Sequence, residues 1–146
     1  MYTITEASIL DLNSLHKLEK ICFPQDAWPI LDLIAVLTFP NVIRLKATVD
    51  GQMVGFIAGD PHQGEGIGWI ATVGVLPEFR RNGIGKGLIA ECEKRMGLPK
   101  VRLSVRFSNN EAITLYEGLG YSRINIWKDY YNDGGNALVM EKNLSN

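Results

Sequence analysis

The sequence predicts an α/β (α+β) fold in which a mixed central sheet is flanked by helices. Three observations carry this. Strand-like and helix-like stretches follow one another in the order β-α-α-β-β-β-α-β-α-β-β. Asp50-Gly51, and later Asn132-Asp133-Gly134-Gly135, sit between strand-like runs and require antiparallel hairpins. Residues 67–75 are nearly all apolar, the pattern of a central strand covered on both faces.

The first strand spans 2–6, with Tyr2, Ile4 and Glu6 on one face. Ser8 is placed to cap a helix whose apolar side is Leu12, Leu15, Leu18 and Cys22. Pro24 ends it, and Pro29 opens a short second helix running to about Leu37, which Pro40-Asn41 closes. Strands follow at 42–49 and 52–58, joined by Asp50-Gly51 as a type I′ turn, with a loop at 59–66 and the apolar strand at 67–75. From Gly83 the period is helical: Ile84, Leu88, Cys92 and Met96 align, Ile89 widens the stripe, Gly97 is a C-cap and Pro99 bars continuation. A strand covers 101–105. Ser108-Asn109-Asn110-Glu111 reads as a capping box for a helix carrying Ala112, Ile113, Tyr116 and Leu119 that ends at Gly118 or Gly120. Strands at 121–128 and 137–142 complete the chain.

The 146 residues suit one domain, 1–146, and the chain carries neither a repeat nor a low-complexity tract. Apolar residues are 46% and charged residues 21%, the balance of a soluble globular protein. A net charge of −1 argues against nucleic acid as partner. No run approaches a membrane span, since Asp32 interrupts the best candidate, and MYTITEA lacks the regions of a signal peptide. Cys22 and Cys92 form no metal-ligand spacing, so no metal is expected, and a cytoplasmic location is.

The chemically informative stretch is VLPEFRRNGIGKGL at 75–88. A buried strand stops at Pro77 and a glycine-studded turn opens directly into an amphipathic helix. Such a turn leaves unpaired N–H groups at the positive end of a helix dipole, a site for phosphate or diphosphate. Gly83, Gly85 and Gly87 let a ligand approach the backbone, and Arg80, Arg81 and Lys86 add positive charge. The P-loop pattern fails because Gly87 follows Lys86, and the dinucleotide fingerprint fails because its third glycine arrives one residue early.

The strand, the Val-Leu-Pro and the Arg80-x-x-Gly83-x-Gly85 heading a helix resemble the signature of the GNAT family of N-acetyltransferases. SVRFSNNEAITLYEGLGY at 104–121 resembles the family's S-N-x-x-A-x-x-L-Y-x-x-x-G-[FY] segment, and YYNDGGNALVM at 130–140 resembles the ending of the branch that acetylates protein N-termini, RimI-like enzymes included. The resemblance covers nearly the whole chain and is densest from Trp69 to Met140. It implies the GNAT fold, about seven strands and four helices, with the parallel strands 67–75 and 101–105 splayed to admit acetyl-CoA.

Mapped residue by residue, the resemblance implies that the backbone of Val73, Gly74 and Val75 pairs with pantetheine. It implies that Arg80, Arg81, Asn82, Gly83, Ile84, Gly85 and Lys86 hold the diphosphate, that Asn109 touches the cofactor, and that an N–H near Val75 faces the thioester oxygen. Tyr116 matches the family's general acid; a phenol, titrating near ~10, is protonated when a thiolate, near ~8.5, departs. The base is less defined. Relatives carry glutamate at the positions of Ser104 or Trp69. Asp26, beside Gln25 in the loop between the first two helices, and Glu65, four residues before Trp69, are the candidates, with deprotonation by water the alternative. Phe23, Trp28, Tyr130 and Tyr131 are expected to line the acceptor site, although Gly135 and Asn136 replace an acidic pair common in the peptide-acetylating branch. The acceptor implied is the α-amine of a protein or peptide, taken by direct attack; the alternatives are a small-molecule amine or a non-catalytic acyl-CoA-binding domain. A monomer or homodimer is expected.

Overall fold

The structure is a computed structural model that describes residues 1–144, so the last two residues of the expected 1–146 unit lie outside the described residues. Seven strands form one sheet: β1 Thr3–Glu6, β2 Ile43–Val49, β3 Gln52–His62, β4 Ile67–Val75, β5 Lys100–Arg106, β6 Ser122–Trp127 and β7 Ala137–Asn143. Their order is β1-β2-β3-β4-β5-β7-β6. Every neighbouring pair is antiparallel except β4 and β5. Four α-helices complete the fold among the described residues: α1 Leu12–Cys22, α2 Ile30–Thr38, α3 Ile84–Met96 and α4 Asn110–Gly118.

Local chemistry explains most of these elements. Ser8 and Asp11 form a reciprocal capping box over a 3-10 turn that runs into α1: Leu10 N–H donates to Ser8 Oγ, and Ser8 N–H donates to Asp11 Oδ2. Asp50 and Gly51 both have positive φ, 49° and 78°, as a type I′ turn requires. The core is one cluster in which Leu15, Leu33, Leu45, Phe56, Ile57, Leu88, Ile89, Val101, Leu138 and Met140 are at most 2% exposed.

Three expectations are corrected. β3 runs through Asp60 and Pro61 to His62 instead of stopping at Ala58, because the ladder with β4 survives beyond a bulge as far as His62 opposite Ile67. The cap of α4 is Asn109, whose Oδ1 accepts from Ala112 N–H, and not Ser108. Strand β4 is central and flanked by α1 and α3, as expected, but its cover is incomplete. Opposite Ala58 and Gly59 the register skips Ala71, which the bulge leaves exposed, while Trp69 and Val73 remain half-buried.

That bulge and the β4–β5 pairing position the site. The two parallel strands are paired only over Ile67–Trp69 and Lys100–Arg102. Beyond Trp69 they diverge, because β5 keeps its full ladder with β7 while β4 stays on β3 to Val75. The sheet is therefore split at the C-terminal ends of β4 and β5. Cys22 and Phe23 of the α1 end lie against Gly74 on one face, and Ile84, Leu88 and Gly85 of α3 lie against Gly55 and Val75 on the other.

Candidate active site

The backbone at the end of β4 turns polar groups into the split. Leu76 N–H donates to Val54 on β3, so alternation along β4 turns the N–H and C=O of Val73 and Val75 toward the gap. Val75 O accepts there from Arg80 Nε at 2.8 Å and from Cys22 Sγ at 3.4 Å. Through its Nε, Arg80 thus closes the bend after β4.

From Pro77 the chain makes a short 3-10 turn, then passes through Arg81 at φ 66° and Gly83 at φ 80° into α3. No side chain caps this helix. The first intrahelical acceptor is Gly83 O, bound by Gly87 N–H at 2.9 Å, and no amide from 81 to 86 donates to another of the described residues. The space where a Gly83 Cβ would stand is open. Six uncommitted donors at the positive end of a 13-residue helix suit a diphosphate group. Gly87 has another purpose than the ligand approach expected of it. A Cβ there would lie 2.6 Å from the Tyr2 hydroxyl, which itself donates to Gly83 O, so this glycine lets β1 pack against α3.

Tyr116 lies on the buried side of α4, 9% exposed, its ring 6.1 Å from and edge-on to Tyr121. Its hydroxyl bonds to none of the described residues, and no fully buried side-chain polar atom among them lacks a partner, so this hydroxyl reaches a surface. Burial, with a smaller push from Tyr131, raises its pKa to about 12. Beneath it Tyr121 donates to Glu93 Oε2 at 2.6 Å, and Lys142 donates to Glu93 Oε1 at 3.2 Å. This buried group fixes α3 to β7.

On the other face of the sheet, residues 25–29 of the α1–α2 loop and 130–132 of the β6–β7 loop enclose a cleft of about 240 Å³. Asp26, Trp28, Tyr130 and Tyr131 line it. Phe23 instead packs on Gly74, with its Cε2 3.3 Å from where a Cβ would be. The aromatic rings continue outward: Tyr131 to Tyr130 at 5.0 Å, Tyr130 to Trp127 at 5.3 Å and Trp127 to Trp69 at 5.9 Å. Trp69 is thus one end of an aromatic wall.

The two base candidates fare differently from expectation. Glu65 is not on β4; it belongs to the 3-10 turn before it, 64% exposed and 3.3 Å from His62. At about 3.3 Å per residue, the length of β4 separates that turn from Val75 by roughly 26 Å. Asp26 does face the cleft, but both its oxygens accept from Arg106, at 2.6 Å from Nε and 2.8 Å from Nη2. It is a loop tie. Asn109 is exposed at the start of α4, its Oδ1 already engaged as the cap.

Two residues escaped the sequence reading. Glu19, 1% exposed, accepts from Thr72 Oγ1 at 2.9 Å and from Trp28 N–H at 3.3 Å, and burial raises its pKa. It anchors the α1–α2 loop to β4 just past the bulge. The signal was present, for Glu19 stands seven residues after Leu12, in an apolar slot of the α1 stripe. Arg106 was the other. Arg102, Ser104 and Arg106 alternate with Val101, Leu103 and Val105, which marks one face of β5 as polar and open.

Known proteins agree with this architecture. An N-alpha-acetyltransferase of Sulfurisphaera tokodaii is 29% identical over 95% of this chain and 91% of its own length. The N-terminal acetyltransferase A complex catalytic subunit NAA10 of Arabidopsis thaliana is 29% identical over 99% of this chain and 79% of its own. The crystal structure of the ribosomal-protein-S18-alanine N-acetyltransferase from Escherichia coli superposes with a TM-score of 0.87 at 27% identity, covering 100% of this chain and 96% of that one. The sequence profile of the acetyltransferase (GNAT) family matches residues 12–121, the stretch that contains the split strands, the amide-lined bend and Tyr116. The chain belongs to the acetyltransferase (GNAT) family.

Proposed function

We propose that the protein transfers the acetyl group of acetyl-CoA to the N-terminal α-amine of a protein or peptide. The observation that carries this reading is the cleft between the α1–α2 and β6–β7 loops, tied to the end of β5 through the Arg106–Asp26 pair. Names of the relatives in Sulfurisphaera and Arabidopsis support the same acceptor class.

In this reading the amides of 81–86 hold the diphosphate, with Arg81 and Lys86 as exposed countercharges, and Val73 and Val75 hydrogen-bond the pantetheine arm. Bound acetyl-CoA supplies an acyl group activated as a thioester. Tyr116 protonates the departing sulfur: its phenol is neutral throughout the working pH range, and its free hydroxyl has a proton to give. Phe23, Trp28, Tyr130 and Tyr131 shape the approach of the amine. With Asp26 bound to Arg106 and Glu65 at the far end of β4, the amine loses its proton to solvent. An α-amine suits that route, since it titrates near ~7.7–8.0 and a lysine side chain near ~10.4.

Incubation with acetyl-CoA and a panel of peptides and free amines, read by CoA release and by mass spectrometry of the products, tests the reading. The expected product is a peptide acetylated at its α-amine. Acetylation confined to small amines overturns the acceptor; tight binding of acetyl-CoA with no product from any amine overturns the activity.

A further inference from the structure

Arg106 lies at the last position of β5, beyond the point where β5 leaves β4, and its side chain bridges the α1–α2 and β6–β7 loops that form the two walls of the cleft. It binds both walls at once. Toward the α1–α2 loop it makes the two-pronged pair with Asp26, at 2.6 and 2.8 Å. Toward the β6–β7 loop its Nη2 donates to Asp133 Oδ1 at 3.1 Å, and its guanidinium carbon lies 4.2 Å from the centre of the Tyr131 ring. Asp133 Oδ1 also accepts from Gly135 N–H at 3.0 Å, which fixes the carboxylate that Arg106 uses. The pair is mostly shielded, with 20% of the Arg106 and 25% of the Asp26 side chain exposed.

Only a planar, forked cation of this reach satisfies three partners on two loops; a lysine ammonium is a point charge on a flexible stem. The sequence leaves room for it at Gly135. A Cβ at that position would lie 2.5 Å from Arg106 Nη1. Gly135 therefore belongs to the same device, in which Asp26 and Asp133 are the negative partners.

We propose that Arg106 is a positioning residue for the acceptor, setting the separation of the two cleft walls and the orientation of Tyr131 so that a peptide N-terminus seats between them. This rests on the reading that the cleft takes the acceptor. A peptide touches both walls and depends on their spacing; acetyl-CoA, held by the β4–α3 bend, does not.

The test compares wild type with Arg106→Met, Arg106→Lys, Asp26→Asn and Gly135→Ala. Gly135→Ala crowds side-chain tips, Arg106 Nη1 and Asp133 Oδ1, and no backbone, so it probes the tie in a folded protein even where Arg106→Met does not fold. Steady-state kinetics with a peptide acceptor at saturating acetyl-CoA should give a KM raised about tenfold for Arg106→Met, in line with loss of a charged, two-pronged bond, and nearly as much for Arg106→Lys. Asp26→Asn and Gly135→Ala should raise it less, while calorimetric affinity for CoA stays within about twofold in all four. Hydrogen exchange, which needs no activity, should speed up in residues 23–29 and 128–136 together and remain unchanged at 81–86. An unchanged peptide KM, or full rescue by lysine, overturns the proposal. So does exchange that rises in one loop alone or across the whole protein. A wild type that acetylates no peptide while the exchange result holds counts against the acceptor assignment and leaves the two-wall tie standing.

Discussion

The bend between β4 and α3 offers a ligand its backbone, whereas the cleft on the opposite face is made of side chains. At the bend, six amides stay without a partner among the described residues, where Arg81 and Gly83 take positive φ and no side chain caps the helix. In the cleft, Asp26, Asp133 and Tyr131 are brought together by one guanidinium that reaches 80 residues back along the chain to Asp26 and 27 forward to Asp133. A backbone site needs only the right turn and tolerates many side chains. A side-chain site needs every partner present. Substitutions at the bend should therefore act weakly and through strain, and those near the cleft strongly and through specific groups.

The substitution expected to have the largest effect lies between the two. Tyr116→Phe removes one oxygen and leaves the ring that packs on Tyr121. Turnover should fall about 100-fold, near 2.7 kcal/mol in barrier, with CoA affinity unchanged. Because the phenol is raised to about 12, the wild-type rate should climb as the acceptor amine deprotonates and should not decline again below about pH 11. A decline near pH 9 would assign the proton to another group.

Glu19 comes next. Glu19→Ala unties Trp28 N–H and the Thr72 hydroxyl inside the protein, which should cost about 2–3 kcal/mol of stability, measured by urea unfolding at pH 7. Glu19→Gln keeps one acceptor oxygen and should cost less than about 1 kcal/mol. The sign of the pH dependence follows from the raised pKa. Its contribution is fully present below the ordinary carboxyl range and is lost as pH rises through the folded-state value, so the gap between wild type and Glu19→Gln should shift in favour of wild type on acidification.

Gly87→Ala sharpens the contrast from the bend side. Its methyl would meet the Tyr2 hydroxyl at 2.6 Å, and a loss of about 1–2 kcal/mol is expected, measured by the same unfolding assay. Adding Tyr2→Phe removes the obstructing oxygen and should recover part of that loss, a coupling that two independent defects would not show. Smallest of all, Arg81→Ala should weaken CoA only about twofold to threefold, because its side chain is 90% exposed and the amides remain.

The same contrast explains what the sequence could reveal. The bend was legible because glycine and proline spacing is local: Pro77, Gly83 and the stripe from Ile84 to Met96 specify a strand, a turn and a helix start within twenty residues. Ile67–Val75 was read to the residue for the same reason. The bulge at Ala71 was not, since it arises from the register with β3, and the exposure of Ala71 goes with it. Asp26 drew notice as a carboxylate in a loop, yet its purpose is set by Arg106, and nothing near Asp26 in the chain announces that partner. Ser108 lost the α4 cap to Asn109 by a single residue, a difference of backbone angle that two neighbouring polar residues leave open.

The proposed activity requires that the amides of 81–86 receive the diphosphate of CoA. Titration of 15N-labelled protein with CoA, followed by amide chemical shifts, measures this directly. The largest shifts should fall on residues 81–86, with Val73 and Val75 moving at the same ligand concentration. Shifts confined to the Asp26–Tyr131 cleft, with residues 81–86 unmoved at saturation, would contradict it.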